Sequence, residues 1–240
     1  EKRKREDLGE GTVSNKRRLP ALPQAQPHSE SLSIPQKSFE SLCLEYSSSK
    51  ARRDEGFKLQ NKITKDGHMA VYHLHRGEID EAKNCLKNAL SCIEGSKVDG
   101  NDDLRVNVFS SAIETYIKAS AMLHFFETGT LVQMGQFAFS TNEEYLSGVL
   151  GFTQELQRYI VRQGSSKDIA SLFVCKEVLE CLQAQLMLFD FRNGPLRHKF
   201  DGIKYAVRKL EDTLFELSLQ EDTAADFLAA SAAQARPAEA

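Results

Sequence analysis

Tryptophan is absent from the 240 residues, prolines number only six and glycines fourteen. With 41% hydrophobic content, that scarcity excludes collagen-like, mucin-like and wholly disordered chains. No apolar run approaches the ~18–20 residues a membrane helix needs, and the opening residues are charged, so neither a transmembrane span nor a secretory signal is read. Five cysteines (Cys43, Cys85, Cys92, Cys175 and Cys181) are an odd number and stand in no CxxC or Cys/His ligand spacing. They read as free thiols in a reducing, intracellular compartment, against a zinc site or a disulfide framework. Also missing are a P-loop, a GxGxxG loop, a GxSxG elbow and an HExxH helix, the common local signatures of catalysis.

The net charge of −3 is unevenly spread. Residues 1–36 carry seven Lys/Arg against five acids, which leaves +2 there and −5 on the rest. The same stretch holds four of the six prolines and almost no periodic apolar pattern, so it buries too little surface to offset its ordering entropy. A disordered arm is expected. Lys2, Arg3, Lys4 and Arg5, then Lys16, Arg17 and Arg18 ten residues on, have the two-cluster spacing of a bipartite nuclear-import signal. A plain solvated basic tail is the competing reading. A body that is acidic overall can hold nucleic acid only where cations are gathered locally.

Residues 37–220 show helical apolar spacing nearly throughout and no convincing strand, which predicts one all-α domain of about six to seven long antiparallel helices. The first runs from Ser38 to about His75, with Gly67 a weak point, and Arg76-Gly77 supplies a glycine cap. The second follows from Glu78 to Gly95, and a third, apolar around much of its circumference, from Asp102 to Glu127. Residues 128–141 read as a connection. A fourth helix opens at Thr141 or Asn142, with Glu143 and Glu144 in its first turn, where the helix dipole favours acids. The fifth carries Leu172, Cys175, Leu179, Leu182, Leu186 and Phe189, and the sixth, starting at Gly194-Pro195, carries Phe200, Ile203, Val207, Leu210, Leu214 and Leu217. Alternating steps of three and four define heptad-like seams that want a near-parallel or antiparallel helix partner; the turn at Asn193-Gly194-Pro195 makes the fifth and sixth helices antiparallel neighbours, and the seam of the sixth is expected to join subunits of an oligomer. The Ala-rich residues 221–240 read as a flexible tail. His68 and His75 share a helix face, but His73 falls elsewhere, so plain surface or interhelical histidines are expected and no metal site.

Two ordered segments carry a resemblance. Glu143-Glu144-Tyr145-Leu146-Ser147-Gly148-Val149-Leu150, followed by Glu155-Leu156-Gln157-Arg158, resembles the EDYLSGVL…EL.R helix of the translin family. Leu196 to Tyr205, then Val207-Arg208-Lys209-Leu210-Glu211, resembles that family's LRKRYDGLKYDVKKVEE helix, and Phe126 to Val132 its LETETLV. The basic arm, Lys37-Ser38-Phe39, Lys58-Leu59 and Leu74-His75-Arg76 tilt toward the branch of translin-associated factor X, TRAX, and neither branch fits throughout. The resemblance covers about residues 37–220 and implies an all-α bundle that assembles into a closed oligomer with itself or a translin or TRAX paralogue. It also implies binding of single-stranded RNA or DNA, no membrane, and residence in nucleus and cytoplasm.

TRAX-type subunits resemble Mg²⁺-dependent endoribonucleases, because several carboxylates hold the ion that activates water. Laid on TRAX's EYVE and D…E patterns, this chain places Thr115 and Lys118 at the two glutamates and Gly151 at the aspartate, and keeps only Glu155. Glu114 could serve only after a one-residue shift, which turns a helix face by ~100°. The resemblance therefore implies a binding subunit without a cofactor; a Mg²⁺-dependent nuclease acting in RNA processing and silencing stands as the alternative. Lys118, Arg158 and Arg162 are the candidate phosphate contacts, against the reading that they pair with Glu155 and Glu127. Arg197, His198, Lys199, Lys204, Arg208 and Lys209 form a denser cluster, in which Arg197, Lys204 and Arg208 fall close on the helical wheel and could serve phosphates or oligomer salt bridges.

Overall fold

The computed structural model describes residues 36–96, 108–220 and 224–234. Eight α-helices follow one another: α1 (Gln36–Arg76), α2 (Ile79–Gly95), α3 (Ser110–Thr128), α4 (Asn142–Ser166), α5 (Ile169–Leu186), α6 (Pro195–Asp201), α7 (Ile203–Ser218) and α8 (Ala224–Gln234). No strand occurs among the described residues, and no helix among them is long and apolar enough to cross a membrane. The chain divides into two compact units, Glu1–Tyr46 and Ser47–Ala240. In the first, the described residues are the opening of α1, whose Phe39, Leu42, Leu44 and Tyr46 are exposed. The import-like cations Lys2 to Arg5 and Lys16 to Arg18 lie outside the described residues, as does the polar loop expected at 97–103.

Local chemistry sets the helix ends. Gly77 takes φ +80°, and the N–H groups of Gly77 and Glu78 close on the carbonyls of Leu74 and His73 at 3.0 and 2.9 Å, satisfying orphan acceptors at the end of α1. Thr141 is the N-cap of α4: its hydroxyl accepts from the Glu144 N–H at 3.2 Å, and Glu144 accepts from the Thr141 N–H at 2.9 Å. Helix α1 runs unbroken through Gly67. The glycine lies against α3, where a Cβ would stand 2.9 Å from Thr115 Cγ2.

The second unit is built around α3 and α4, with α7, α5 and α6 packed on α4 and α2 on α3. Ile117 and Met122 of α3 and Phe152, Leu156 and Ile160 of α4 are fully buried at its centre. The connection before α4 contributes Val132 and Phe137, and Phe137 meets Tyr116 edge-on at 6.2 Å.

Four expectations are corrected. The expected sixth helix is α6 and α7, interrupted at Gly202, whose own angles stay helical at φ −70° and ψ −27°. Its seam is not an oligomer surface: Ile203, Leu210, Leu214 and Leu217 are buried in this chain's own core, with Phe200 and Val207 partly buried beside them. Steps of three and four demand a helical partner without saying which chain supplies it, and here α4 and α5 do. Within the Ala-rich tail, residues 224–234 form α8 against α5 and α7, in keeping with alanine's rank as the best helix former, and the rest of the tail lies outside the described residues. The fifth helix also stops at Leu186, which leaves Phe189 beyond its end.

Candidate nucleic-acid interface

Residues at i, i+3, i+4 and i+7 of α1 share a face, and His68, Val71, Tyr72 and His75 occupy one such stripe. Opposite it, Lys118 of α3 and Glu155 and Arg158 of α4 complete the lining of an open pocket of about 470 Å³.

Glu155 is its centre, with a side chain only 12% exposed. His75 Nε2 donates to Oε2 at 3.1 Å, Lys118 Nζ donates to Oε1 at 3.3 Å, and Arg158 Nη1 stands 3.5 Å from Oε2. The His75 hydrogen bond, then the charges of Lys118 and Arg158, hold the carboxyl down at about 2 against the opposing effect of burial. His68 is also shifted down: burial first, then the Lys118 ammonium, lower its pKa, which favours its neutral form where the same direction favours the charged form of Glu155. Two cations and one carboxylate leave the pocket positive.

Lys118 and Gly151 are fitted to each other. A Cβ on residue 151 would stand 3.1 Å from Lys118 Cδ and 3.5 Å from its Cγ, so the lysine stem crosses the space that a larger residue would fill. Thr115 turns a methyl onto Gly67, and its hydroxyl donates to the Ser111 carbonyl at 2.9 Å. A divalent ion wants about six oxygen ligands, and carboxylates above all. The residues present do not fit one: Glu155 is the single carboxylate of the pocket, and an ammonium already neutralises it. Among the described residues, no three His, Cys, Asp or Glu side chains are gathered as a metal requires.

Other candidates lie elsewhere. Glu114 is not a substitute ligand. It accepts from Lys199 Nζ at 2.8 Å and lines a separate groove of about 840 Å³ with Ser147 and Asp190, the facing side of α3 having turned away from Glu155. Lys199 also donates to Ser147, which pins α6 to α4. Arg162 does not join Arg158. Its Nη1 donates to the His75 carbonyl, and it lines a neighbouring pocket with Phe126 and Tyr159. The α1 terminus has orphan carbonyls to satisfy, and Arg162 meets one of them. Lys118 is 17% exposed and committed to Glu155, whereas Arg158 presents 74% of its side chain to solvent.

Sequence reasoning missed Tyr72 as part of this site and saw His75 only as a helix-face histidine. The i, i+4, i+7 relation of His68, Tyr72 and His75 was the available signal. His73 points away and donates from Nδ1 to Glu78 at 2.6 Å. No disulfide links the cysteines, which are free thiols, with Cys175 buried.

Fold and site together define an all-α bundle whose pocket between α1, α3 and α4 carries positive charge around one neutralised carboxylate. The translin family model matches residues 51–221, and the chain belongs to that family. Translin of Gallus gallus is 33% identical over 78 residues, which are 32% of this chain and 34% of its own. Translin of Homo sapiens is 34% identical over 78 residues, with the same shares. The chain thus spans about a third of the length of these curated relatives. Among solved structures, AfC3PO is similar with a TM-score of 0.65 at 19% identity, over 83% of this chain and 100% of that one. The AfC3PO–duplex RNA complex gives 0.64 at 18% identity, over 83% and 100%. At that identity the likeness is one of fold.

Proposed function

We propose that this chain is a nucleic-acid-binding subunit of a translin-type oligomer, built from copies of itself or with a translin-family paralogue, that holds single-stranded RNA or DNA by its phosphates. It works in nucleus and cytoplasm, needs no cofactor and does not cut the strand itself. The observation that carries this reading is Lys118 Nζ at 3.3 Å from Glu155, in the place where a metal-dependent nuclease needs more carboxylate. An ammonium there raises the local potential for phosphates, and the exposed Arg158 guanidinium offers a planar fork for phosphate oxygens. The fold shared with AfC3PO, a protein solved with duplex RNA, supports nucleic-acid binding in general and does not bear on the choice of single strands.

Phosphate contacts release counterions, so binding must weaken steeply with salt. The test is a salt titration of single-stranded RNA binding by the wild type and Arg158→Glu. Charge reversal is expected to weaken binding about ten-fold and to reduce the logarithmic salt slope by about one. Salt-independent binding, or an unchanged Arg158→Glu titration, would contradict the reading and leave a subunit that serves assembly alone.

A further inference from the structure

An aromatic ring on a protein surface is normally free to change rotamer, and ordering it against a ligand costs entropy. Tyr72 is the exception at the rim of the Glu155 pocket. The residue is 53% exposed, and yet its ring is held from two directions. The Arg76 guanidinium carbon lies 5.5 Å from the ring centroid, and Arg76 Nη1 donates to the Tyr72 hydroxyl at 3.4 Å. The His73 ring meets it edge-on, with centroids 5.5 Å apart and planes at 75°.

Both holding groups are fixed by one carboxylate. Glu78 accepts from His73 Nδ1 at 2.6 Å through one oxygen and from Arg76 Nε at 2.7 Å through the other. Glu78 itself is the residue that follows the Gly77 cap, where the turn after α1 brings it back alongside the last turn of the helix. A helix end, a carboxylate and two side chains thus set one exposed ring in place.

We infer that Tyr72 is a stacking platform for an unpaired nucleobase of a strand whose phosphates run past Arg158, an inference that rests on the function proposed above. The ring and Arg158 line the same pocket, so a nucleotide can place its base on one and its phosphate at the other. Every base has a π-face, so stacking of this kind tolerates any sequence. It excludes a duplex, in which the base faces are already stacked inside the helix. Arg76 covers part of the ring with a cation, which leaves the remaining face for the base and adds attraction across the ring. Because the platform is set before the strand arrives, less ordering is needed on binding.

The experiment measures binding of the full chain to a labelled single-stranded RNA and to an abasic strand of the same length, which keeps the phosphates and lacks the bases. The wild type is expected to prefer the base-bearing strand by about ten-fold, the scale of one stacked base. Tyr72→Ala is expected to abolish that preference and leave affinity for the abasic strand unchanged. Tyr72→Phe, which keeps the ring, should retain it. Glu78→Gln should lower it, since Arg76 and His73 lose their shared anchor. An exposed side chain changes little of the fold, and an unchanged melting curve for Tyr72→Ala checks that. Preference for the base-bearing strand that survives Tyr72→Ala, or is absent from the wild type, overturns the stacking inference while phosphate holding stands. Failure of the wild type to bind either strand overturns both.

Discussion

Glu155→Gln is expected to cost the fold about 2–3 kcal/mol at pH 7, because it leaves Lys118 half-buried without its counter-charge. The pH dependence gives the same expectation a sign. The Glu155 carboxyl titrates near 4.5 when unfolded and is held at about 2 in the fold. Its contribution is therefore complete above about pH 4.5 and is lost as pH falls from there through about 2. Urea unfolding across that window should show the wild type losing stability by about 2–3 kcal/mol more than Glu155→Gln, with the two curves converging at the acid end. Parallel curves would mean that His75, Lys118 and Arg158 do not hold the carboxylate as the distances require.

Gly148→Val is the second large effect. Helix α4 packs tightly on α3 at this residue, where a Cβ would stand 2.6 Å from Ile117 Cγ2, 2.7 Å from Ile117 Cβ and 3.0 Å from the Glu114 carbonyl oxygen. Ile117 is fully buried and a carbonyl oxygen cannot turn aside, so the two central helices must separate. Overpacking of this kind is expected to cost about 3 kcal/mol, and the forced shift also moves Glu114 and its bond to Lys199. Gly95→Ala is the control, since nothing lies within 4 Å of a Cβ there. A Gly148→Val melting temperature equal to that of the control would show that the helices are not in close contact at this point.

Local rules carried the reading of the fold where the deciding atoms lie within one or two turns. The Arg76-Gly77 cap and the Thr141 N-cap are of that kind, and the structure places both where the sequence pattern puts them. The expected pairing of the fifth and sixth helices is met by α5 and α7, whereas the oligomer role expected of the α7 seam is not, because a period carries no information about which chain provides the partner. Alanines at the C-terminal end were taken for lack of structure, although alanine favours the helix they form as α8.

At the site, that Thr115, Lys118 and Gly151 offer no carboxylate was legible residue by residue. That Lys118 lies across Gly151 and reaches Glu155 was not, since it depends on where two helices cross. Arg162 was grouped with Arg158 from a spacing of four, which holds for the helix face. The end of α1, from a distant part of the chain, then takes Arg162 for its own carbonyl. Tyr72 escaped notice because an exposed tyrosine is unremarkable until its neighbours are seen to fix it.

Lys118, with its ammonium 3.3 Å from Glu155, is proposed to make the pocket one that holds phosphates without cutting. Incubating labelled single-stranded RNA with the full chain, with Mg²⁺ or with a chelator, tests it most directly, with Glu155→Gln alongside. The predicted result is a strand bound equally in both conditions and recovered intact. Cleavage that requires Mg²⁺ and disappears in Glu155→Gln would contradict the account.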